Sequence, residues 1–184
     1  MAKQLVDKIE LTEEQKQVLY GALLGDGSLI LHKNCKNAIF SYTSKSKQHV
    51  EYVSNSFKKY LSGENIKQYT YYDSRTNKEY SRYVMRTYTN ESFTDEHNKW
   101  YKNGIKTIPK NLKLTPLICK IWYIGDGGIC HSNRSEWIKL STQCFSKEEQ
   151  EEILLPQLSQ FEAILMKADI GKNKQQQYYI YIPH

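Results

Sequence analysis

Two apolar stretches of this 184-residue chain end in the same tripeptide, Gly25-Asp26-Gly27 and Gly125-Asp126-Gly127, whose aspartates lie 100 residues apart. No other feature constrains the fold as strongly. The first stretch opens at Leu11-Thr12-Glu13-Glu14-Gln15. There Thr12 suits a helix cap, Gln15 holds the capping-box position, and Leu11 can staple the entry. Val18, Leu19, Ala22 and Leu23 then recur at helical spacing up to about Gly25. The second stretch opens at Thr115-Pro116, a cap followed by proline at the first helical position. It carries Leu117, Ile118, Ile121, Trp122 and Ile124. The glycines permit a left-handed or tight exit from each helix and leave the aspartate at its lower end. Gly21 and Gly25 are four apart, so another backbone can approach that face. If the two helices pack side by side, Asp26 and Asp126 meet at the base of their interface.

Around these helices the chain reads as alternating helix and strand. Strands are expected over Ser28–His32 and Ala38–Thr43, joined by a polar turn from Lys33 to Asn37. Val50, Val53, Phe57 and Leu61 predict a helix from Gln48 to Leu61. A hairpin follows over Ile66–Tyr72 and Tyr80–Tyr88, with Asp73 to Asn77 at its tip. A short helix, roughly Glu91 to Tyr101, closes the first half. Beyond the second apolar helix lie a strand, Trp137–Gln143, and a helix capped by Ser146 with Glu149 at the box position. Pro156 should kink that helix, and a last strand covers Tyr178 to Ile182. The order helix–strand–strand–helix thus occurs twice, an internal duplication rather than a short-period solenoid. The expected division is a first half at 1–104, a linker at 105–114 and a second half at 115–184.

Lys and Arg number 26 against 20 Asp and Glu, a net charge of +6, which favours a polyanion partner without requiring one. Many of the 15 tyrosines are interleaved with Lys, Arg, Asn and Gln. Their flat apolar rings and hydroxyls suit wet contacts with phosphate and base edges, although half-buried strands favour them too. Cys35, Cys119, Cys130 and Cys144 form no CxxC pair or zinc-ligand rhythm, and His131 beside Cys130 has no second pair to complete a site. Free thiols in a reducing compartment are expected. No apolar run approaches the ~20 residues that span a bilayer, and Met1 to Lys8 lacks a signal peptide's apolar core. A soluble, intracellular protein is expected.

Two carboxylates held close by packed helices raise each other's pKa unless a counter-charge intervenes. A divalent cation removes that cost, and hard oxygen donors suit Mg²⁺. Such an ion activates water and stabilises the leaving oxygen in phosphodiester hydrolysis. Asp and Gly are also common turn residues. On spacing alone, a metal site and a pair of plain turns stand about even.

The wider pattern resembles a known family. Leu19-Tyr20-Gly21-Ala22-Leu23-Leu24-Gly25-Asp26-Gly27 and Ile118-Cys119-Lys120-Ile121-Trp122-Tyr123-Ile124-Gly125-Asp126-Gly127 both look like LAGLIDADG motifs. The run from Lys106-Thr107-Ile108-Pro109 to Leu112, with Leu114-Thr115-Pro116, resembles the inter-motif segment of the single-chain, two-motif homing endonucleases typified by the mitochondrial omega-intron enzyme. Thr142-Gln143-Cys144-Phe145-Ser146 is similar to the strand-to-helix junction after their second motif. The likeness runs from about Leu11 to Ile182.

The resemblance implies an α+β fold, a pseudo-two-fold αββαββα duplication with two saddle-shaped antiparallel sheets straddling double-stranded DNA. It implies a monomeric, Mg²⁺-dependent, site-specific DNA endonuclease of a bacterial or phage cytoplasm or an organelle matrix. Mn²⁺ would substitute, and Ca²⁺ would bind without supporting cleavage. Asp26 and Asp126 would bind the metals, aided by the Gly25 and Gly125 carbonyls. Lys106 matches the branch's active-site lysine before Thr-Ile-Pro. Two departures stand out. Ile121 and Trp122 occupy positions where small residues are common, implying an asymmetric helix pair. From Asp26 to Lys106 is 80 residues but from Asp126 to His184 only 58, so the second half is expected to be shortened at its C-terminus, without its last helix.

On a curved sheet alternate side chains face DNA. That alternation groups Arg82, Val84 and Arg86 opposite Tyr83 and Met85, and Lys139, Ser141 and Gln143 opposite Ile138 and Leu140. Arg reads guanine and Gln reads adenine in the major groove, while Lys33, Lys36, Arg75 and Lys78 in or beside turns suit phosphates. Two other readings stay open: a cleavage-impaired nucleic-acid-binding relative (an intron maturase or a regulator), and a non-enzymatic interaction domain whose Gly-Asp-Gly pairs only end helices.

Overall fold

The computed structural model describes residues 9–61, 66–132, 135–168 and 176–183. Met1 to Lys8, read above for a leader, and the terminal His184 lie outside them. The chain divides into two compact units, Met1–His97 and Asn98–His184.

The first unit begins with α1 (Glu13–Leu24), started by the expected capping box: Thr12 Oγ1 accepts from Gln15 N–H and the Gln15 side chain accepts from Thr12 N–H. The Gln15 amide also donates to the Ser56 carbonyl at 2.7 Å, tying this end of α1 to the end of α2 (Lys47–Ser56). Strands β1 (Gly27–Ile30), β2 (Ile39–Ser44), β3 (Ile66–Asp73) and β4 (Lys78–Arg86) form one antiparallel sheet in the order β1-β2-β4-β3. Helix α3 (Glu91–Trp100) follows. Strand alternation sends Leu29, Phe40, Tyr42 and Met85 to one face, where all four are buried. There Phe40 meets Phe57 at 5.0 Å and Tyr60 meets Phe93 at 5.0 Å between ring centroids. Rings of this size each contribute roughly 1.5–3 kcal/mol by leaving water, so the aromatic cluster is the unit's main anchor. The β3–β4 hairpin runs on past this core, and its outer part is exposed on both faces.

The second unit contains a two-residue hairpin, β5 (Tyr101–Lys102) and β6 (Ile105–Lys106), then α4 (Pro116–Asp126). Strands β7 (Gly127–His131), β8 (Glu136–Leu140), β9 (Ile164–Lys167) and β10 (Tyr178–Pro183) pair antiparallel in the order β7-β8-β10-β9. Numbered within its own sheet, this is the order of the first sheet. The duplication inferred from the motifs is therefore a duplication of strand topology. The helix capped by Ser146 and Glu149 starts as α5 (Lys147–Glu149), widens to π geometry over Gln150–Leu154 and tightens to 3₁₀ over Leu155–Phe161, where Pro156 sits at the start. The kink expected at Pro156 takes that form, since proline lacks the N–H an α-helix would use there. The π turn was not anticipated, and neither β7 nor β9 was singled out from the sequence.

One expected strand is too long. The strand read as Trp137–Gln143 ends at Leu140, one pairing short of Thr142, which turns inward. Ser141 N–H donates to the Asp126 carbonyl at 2.9 Å, and Thr142 is buried against Gln150. Gln150, itself buried, accepts from the Thr142 hydroxyl and donates to the carbonyls of Thr142 and Phe145, both at 3.1 Å. Among the described residues no helix is long and apolar enough to cross a membrane.

Candidate active site and nucleic-acid interface

Each aspartate sits where a helix turns directly into the first strand of its sheet. Gly25 ends α1 with φ −113°, its N–H donating to the Ala22 carbonyl, and Gly27 already pairs with Tyr42 in β1. Gly127 ends α4 with φ −89°, its N–H donating to the Tyr123 carbonyl, and pairs with Leu140 in β7. Neither corner uses left-handed backbone; Gly104 is the described glycine with positive φ. What these corners need is space. A Cβ on Gly27 would stand 2.7 Å from the Ala22 carbonyl oxygen, and one on Gly127 would stand 2.5 Å from the Tyr123 carbonyl oxygen. The tight half of the expectation holds, and the left-handed half does not. The glycine after each aspartate lets the strand leave against the helix's own last turn.

Asp26 is exposed and Asp126 half-buried. Both stand at helix C-terminal ends, where the peptide dipoles present negative partial charge, and neither helix carries a basic residue in its last turn. Adding a carboxylate to such an end is unfavourable without a cation. Aspartate oxygens and carbonyls are hard donors that fit Mg²⁺, Mn²⁺ or Ca²⁺. Among the described residues no three His, Cys, Asp or Glu side chains gather into a metal-binding group.

Within the second unit, Lys106 lies beside Phe145. Its ammonium lies 5.9 Å from the centre of the Phe145 ring. The neighbouring Cys144 thiol is pushed up chiefly by the packed atoms around its sulfur, and further by the Asp126 carboxylate, while the Lys106 charge opposes the rise. Lys106 and Asp126 thus act on one sulfur. Two hydrogen bonds set the segment that carries Lys106. Thr107 N–H donates to the Trp100 carbonyl at 2.7 Å. Ile108 N–H donates to Glu149 Oε1 at 2.8 Å, while Glu149 Oε2 accepts from Ser146 N–H at 2.9 Å. Glu149 was foreseen as a cap, but its hold on Ile108 was not. That contact spans 41 residues of chain, beyond the reach of any local pattern.

The first sheet's second face is buried at Ile39, Ser41 and Val84 and becomes polar and exposed along the hairpin. Arg82 and Arg86 are exposed there, on the same side as Val84, and the register places Tyr69 opposite Arg82 and Ser41 opposite Arg86. The sequence reading missed the aromatic residues on this face. The Arg82 guanidinium carbon is 5.9 Å from the ring centres of both Tyr69 and Tyr71, and Lys45 is 5.8 Å from that of Tyr80. The period-two spacing of Tyr69 and Tyr71 carried that signal. Lys33 and Lys36 are exposed in the β1–β2 connection, and Lys78 is exposed at the start of β4. Arg75 is exposed but engaged. Its guanidinium bonds both Asp73 carboxylate oxygens, at 3.1 and 2.8 Å, which holds the Asp73 carboxyl below its ordinary range.

In the second sheet Lys139 lies opposite Leu140 in facing, as expected, with its ammonium 4.4 Å from the Tyr179 ring centre. Ser141 and Gln143 do not continue that face as strand residues. Both are half-buried in the turn after β8.

The family model for LAGLIDADG DNA endonucleases matches residues 16–184. The chain belongs to the LAGLIDADG DNA endonuclease family. DNA endonuclease I-ChuI of Chlamydomonas applanata is 32% identical over 151 residues, covering 76% of this chain and 69% of that protein. Cytochrome b mRNA maturase bI2 of Debaryomyces hansenii is 27% identical over 150 residues, covering 78% of this chain and 55% of the relative. Among solved structures, the homing endonuclease I-WcaI bound to its DNA recognition sequence superposes with a TM-score of 0.79 at 25% identity, covering 95% of this chain and 77% of that one. The α+β LAGLIDADG fold expected from the two motifs is thus the fold observed.

Proposed function

We propose that this LAGLIDADG chain is a homing endonuclease that recognises a long double-stranded DNA site and hydrolyses its phosphodiester bonds as a monomer. The observation that carries the reading is the repeated corner: in both units an aspartate ends the motif helix, followed by a glycine that only hydrogen fits. Asp26 and Asp126 would hold divalent cations, assisted by the carbonyls of Gly25 and Gly125, with Mg²⁺ as the working ion. A cation held there would supply activation of water and stabilisation of charge on the scissile phosphate. Lys106 stabilises the same developing charge and orients water through its three donors. Phe145 and the Ile108–Glu149 bond keep its segment in place.

DNA is held by the polar sheet faces and by lysines of the connections. Arg82, Arg86 and Lys139 serve from the sheets, Lys33, Lys36 and Lys78 from turns and strand ends. Ser141 and Gln143 reach DNA from the turn beside Asp126. Arg75 contributes less, because Asp73 already occupies its donors.

The test is incubation of a randomised duplex library with the protein and Mg²⁺, comparing wild type with Asp26→Asn and Asp126→Asn. Specific cleavage is expected to fall by at least ~100-fold in either variant, since losing a metal's outer-shell partner alone costs ~10–100-fold. Binding of the selected duplex in Ca²⁺ should remain. Cleavage undiminished in both variants would remove the proposed site. The similarity to a maturase favours one second reading, RNA binding without DNA cleavage. It predicts tight binding of intron RNA unaffected by either Asp→Asn change.

A further inference from the structure

Arg82 stands in a row of rings on the exposed face of the β3–β4 hairpin. Its guanidinium carbon lies 5.9 Å from the centres of the Tyr69 and Tyr71 rings. Tyr71 stacks on Tyr80 at 5.9 Å with 29° between planes, and Lys45 lies 5.8 Å from the Tyr80 ring centre. The register accounts for the row. Tyr69 faces Arg82 and Tyr71 faces Tyr80 across the two strands, so alternation puts all four side chains on one side of the sheet. The row joins a cation, two stacked rings and a second cation, with Tyr69 flanking Arg82.

The manner of holding matters. A carboxylate partner consumes guanidinium N–H donors, as Asp73 does for Arg75. An aromatic ring attracts the cation through its π-face instead, and so restrains the side chain while leaving the N–H edge available. Among the described residues Arg82 forms no ion pair. A restrained planar fork with its edge unspent suits a ligand presenting two acceptors at fixed separation. The O6 and N7 of guanine in a major groove are such a pair, and phosphate oxygens are another. A phosphate is satisfied by a mobile lysine, whereas pre-organisation gains most where direction is demanded. Arg82 also projects from mid-strand, five residues beyond Asn77 in the hairpin tip.

We propose that Tyr69 and Tyr71 are positioning residues that hold Arg82 for reading one guanine, making the tyrosines determinants of target specificity although neither need touch a base. This inference rests on the DNA-recognition reading above. The rings are suited to replacement, because Tyr69 is 41% and Tyr71 46% exposed and both lie on β3, an edge strand.

The experiment selects a duplex from a randomised library with the wild-type chain in Ca²⁺. It then measures binding to every single-base-pair variant of that duplex. Arg82→Ala, Tyr69→Leu/Tyr71→Leu and Tyr69→Phe/Tyr71→Phe are compared, each checked for native thermal unfolding. Arg82→Ala should remove about tenfold discrimination for guanine at one position. The double leucine variant should lose comparable discrimination at that same position, with the others unchanged. The double phenylalanine variant, which keeps both rings, should retain it. Uniform weakening across all duplexes by Arg82→Ala would make Arg82 a phosphate contact and overturn the proposal. Phenylalanine variants that behave like leucine variants would also overturn it, by assigning the effect to the hydroxyls. A wild-type chain that selects no duplex would defeat the underlying DNA-recognition reading as well, so the two failures are distinct.

Discussion

Replacing Gly127 by alanine tests whether the helix-to-strand corner is a geometric necessity. The added Cβ would lie 2.2 Å from Tyr123 Cδ2, 2.5 Å from the Tyr123 carbonyl oxygen and 2.8 Å from Tyr123 Cα. The first contact can be relieved by turning a ring. The other two are backbone, in the last turn of α4, so either the helix end or β7 must shift. Forced insertion of this kind costs roughly 1–3 kcal/mol. The shift also strains the Gly127 N–H bond to the Tyr123 carbonyl, a bond worth about 1 kcal/mol. Together the loss is ~2–4 kcal/mol, or about 5–15 °C in Tm for a domain of this size. Gly128 provides the control next door, since a Cβ there meets nothing within 4 Å. Gly128→Ala should be neutral or stabilising by up to ~1 kcal/mol through the unfolded chain. All three tryptophans, Trp100, Trp122 and Trp137, belong to the second unit. Denaturant unfolding followed by tryptophan fluorescence therefore reports on the unit that contains the change. Equal midpoints for Gly127→Ala and wild type, or a larger loss for Gly128→Ala, would refute the reasoning.

Three further outcomes follow from the same geometry. Gln150→Leu leaves the buried Thr142 hydroxyl and the Thr142 and Phe145 carbonyls without that partner, and should cost about 2–4 kcal/mol in urea unfolding. Glu149→Ala releases both Ser146 N–H and Ile108 N–H; kcat for cleavage should fall with little change in duplex affinity, and Glu149→Gln should restore part of it through its remaining acceptor. Loss of the cap alone, with kcat intact, would separate Glu149 from the Lys106 segment. Duplex affinity should fall steeply with salt, and Lys36→Ala should lower the slope of log affinity against log salt by about 1; an unchanged slope would remove Lys36 from the phosphate contacts.

Much of the fold was written in short-range patterns. Both motif helices start at the expected caps, Thr12 with Gln15 and Thr115 with Pro116, because capping depends on residues only three positions apart. The β3–β4 hairpin falls within two residues of its expected ends, since its strands and tip are contiguous. Alternation alone put Arg82 and Arg86 together and set Lys139 opposite Leu140. Errors arose where a distant partner outweighed the local signal. Ser141 and Gln143 continue the residue pattern of β8, yet the burial of Thr142 against Gln150 turns the chain away after Leu140.

The sequence by itself determined the family and the repeated motif helix with its glycine-flanked aspartate, because each copy is encoded by residues within one short segment. Tertiary structure alone decided how Lys106 is held, which arginine keeps its donors and why glycine must follow each aspartate. Those outcomes depend on which side chains meet, whether across 41 residues for Ile108 and Glu149 or two for Asp73 and Arg75, or on fractions of an ångström at a corner. A one-dimensional pattern records which groups are available; only the folded chain decides which of them come within bonding distance.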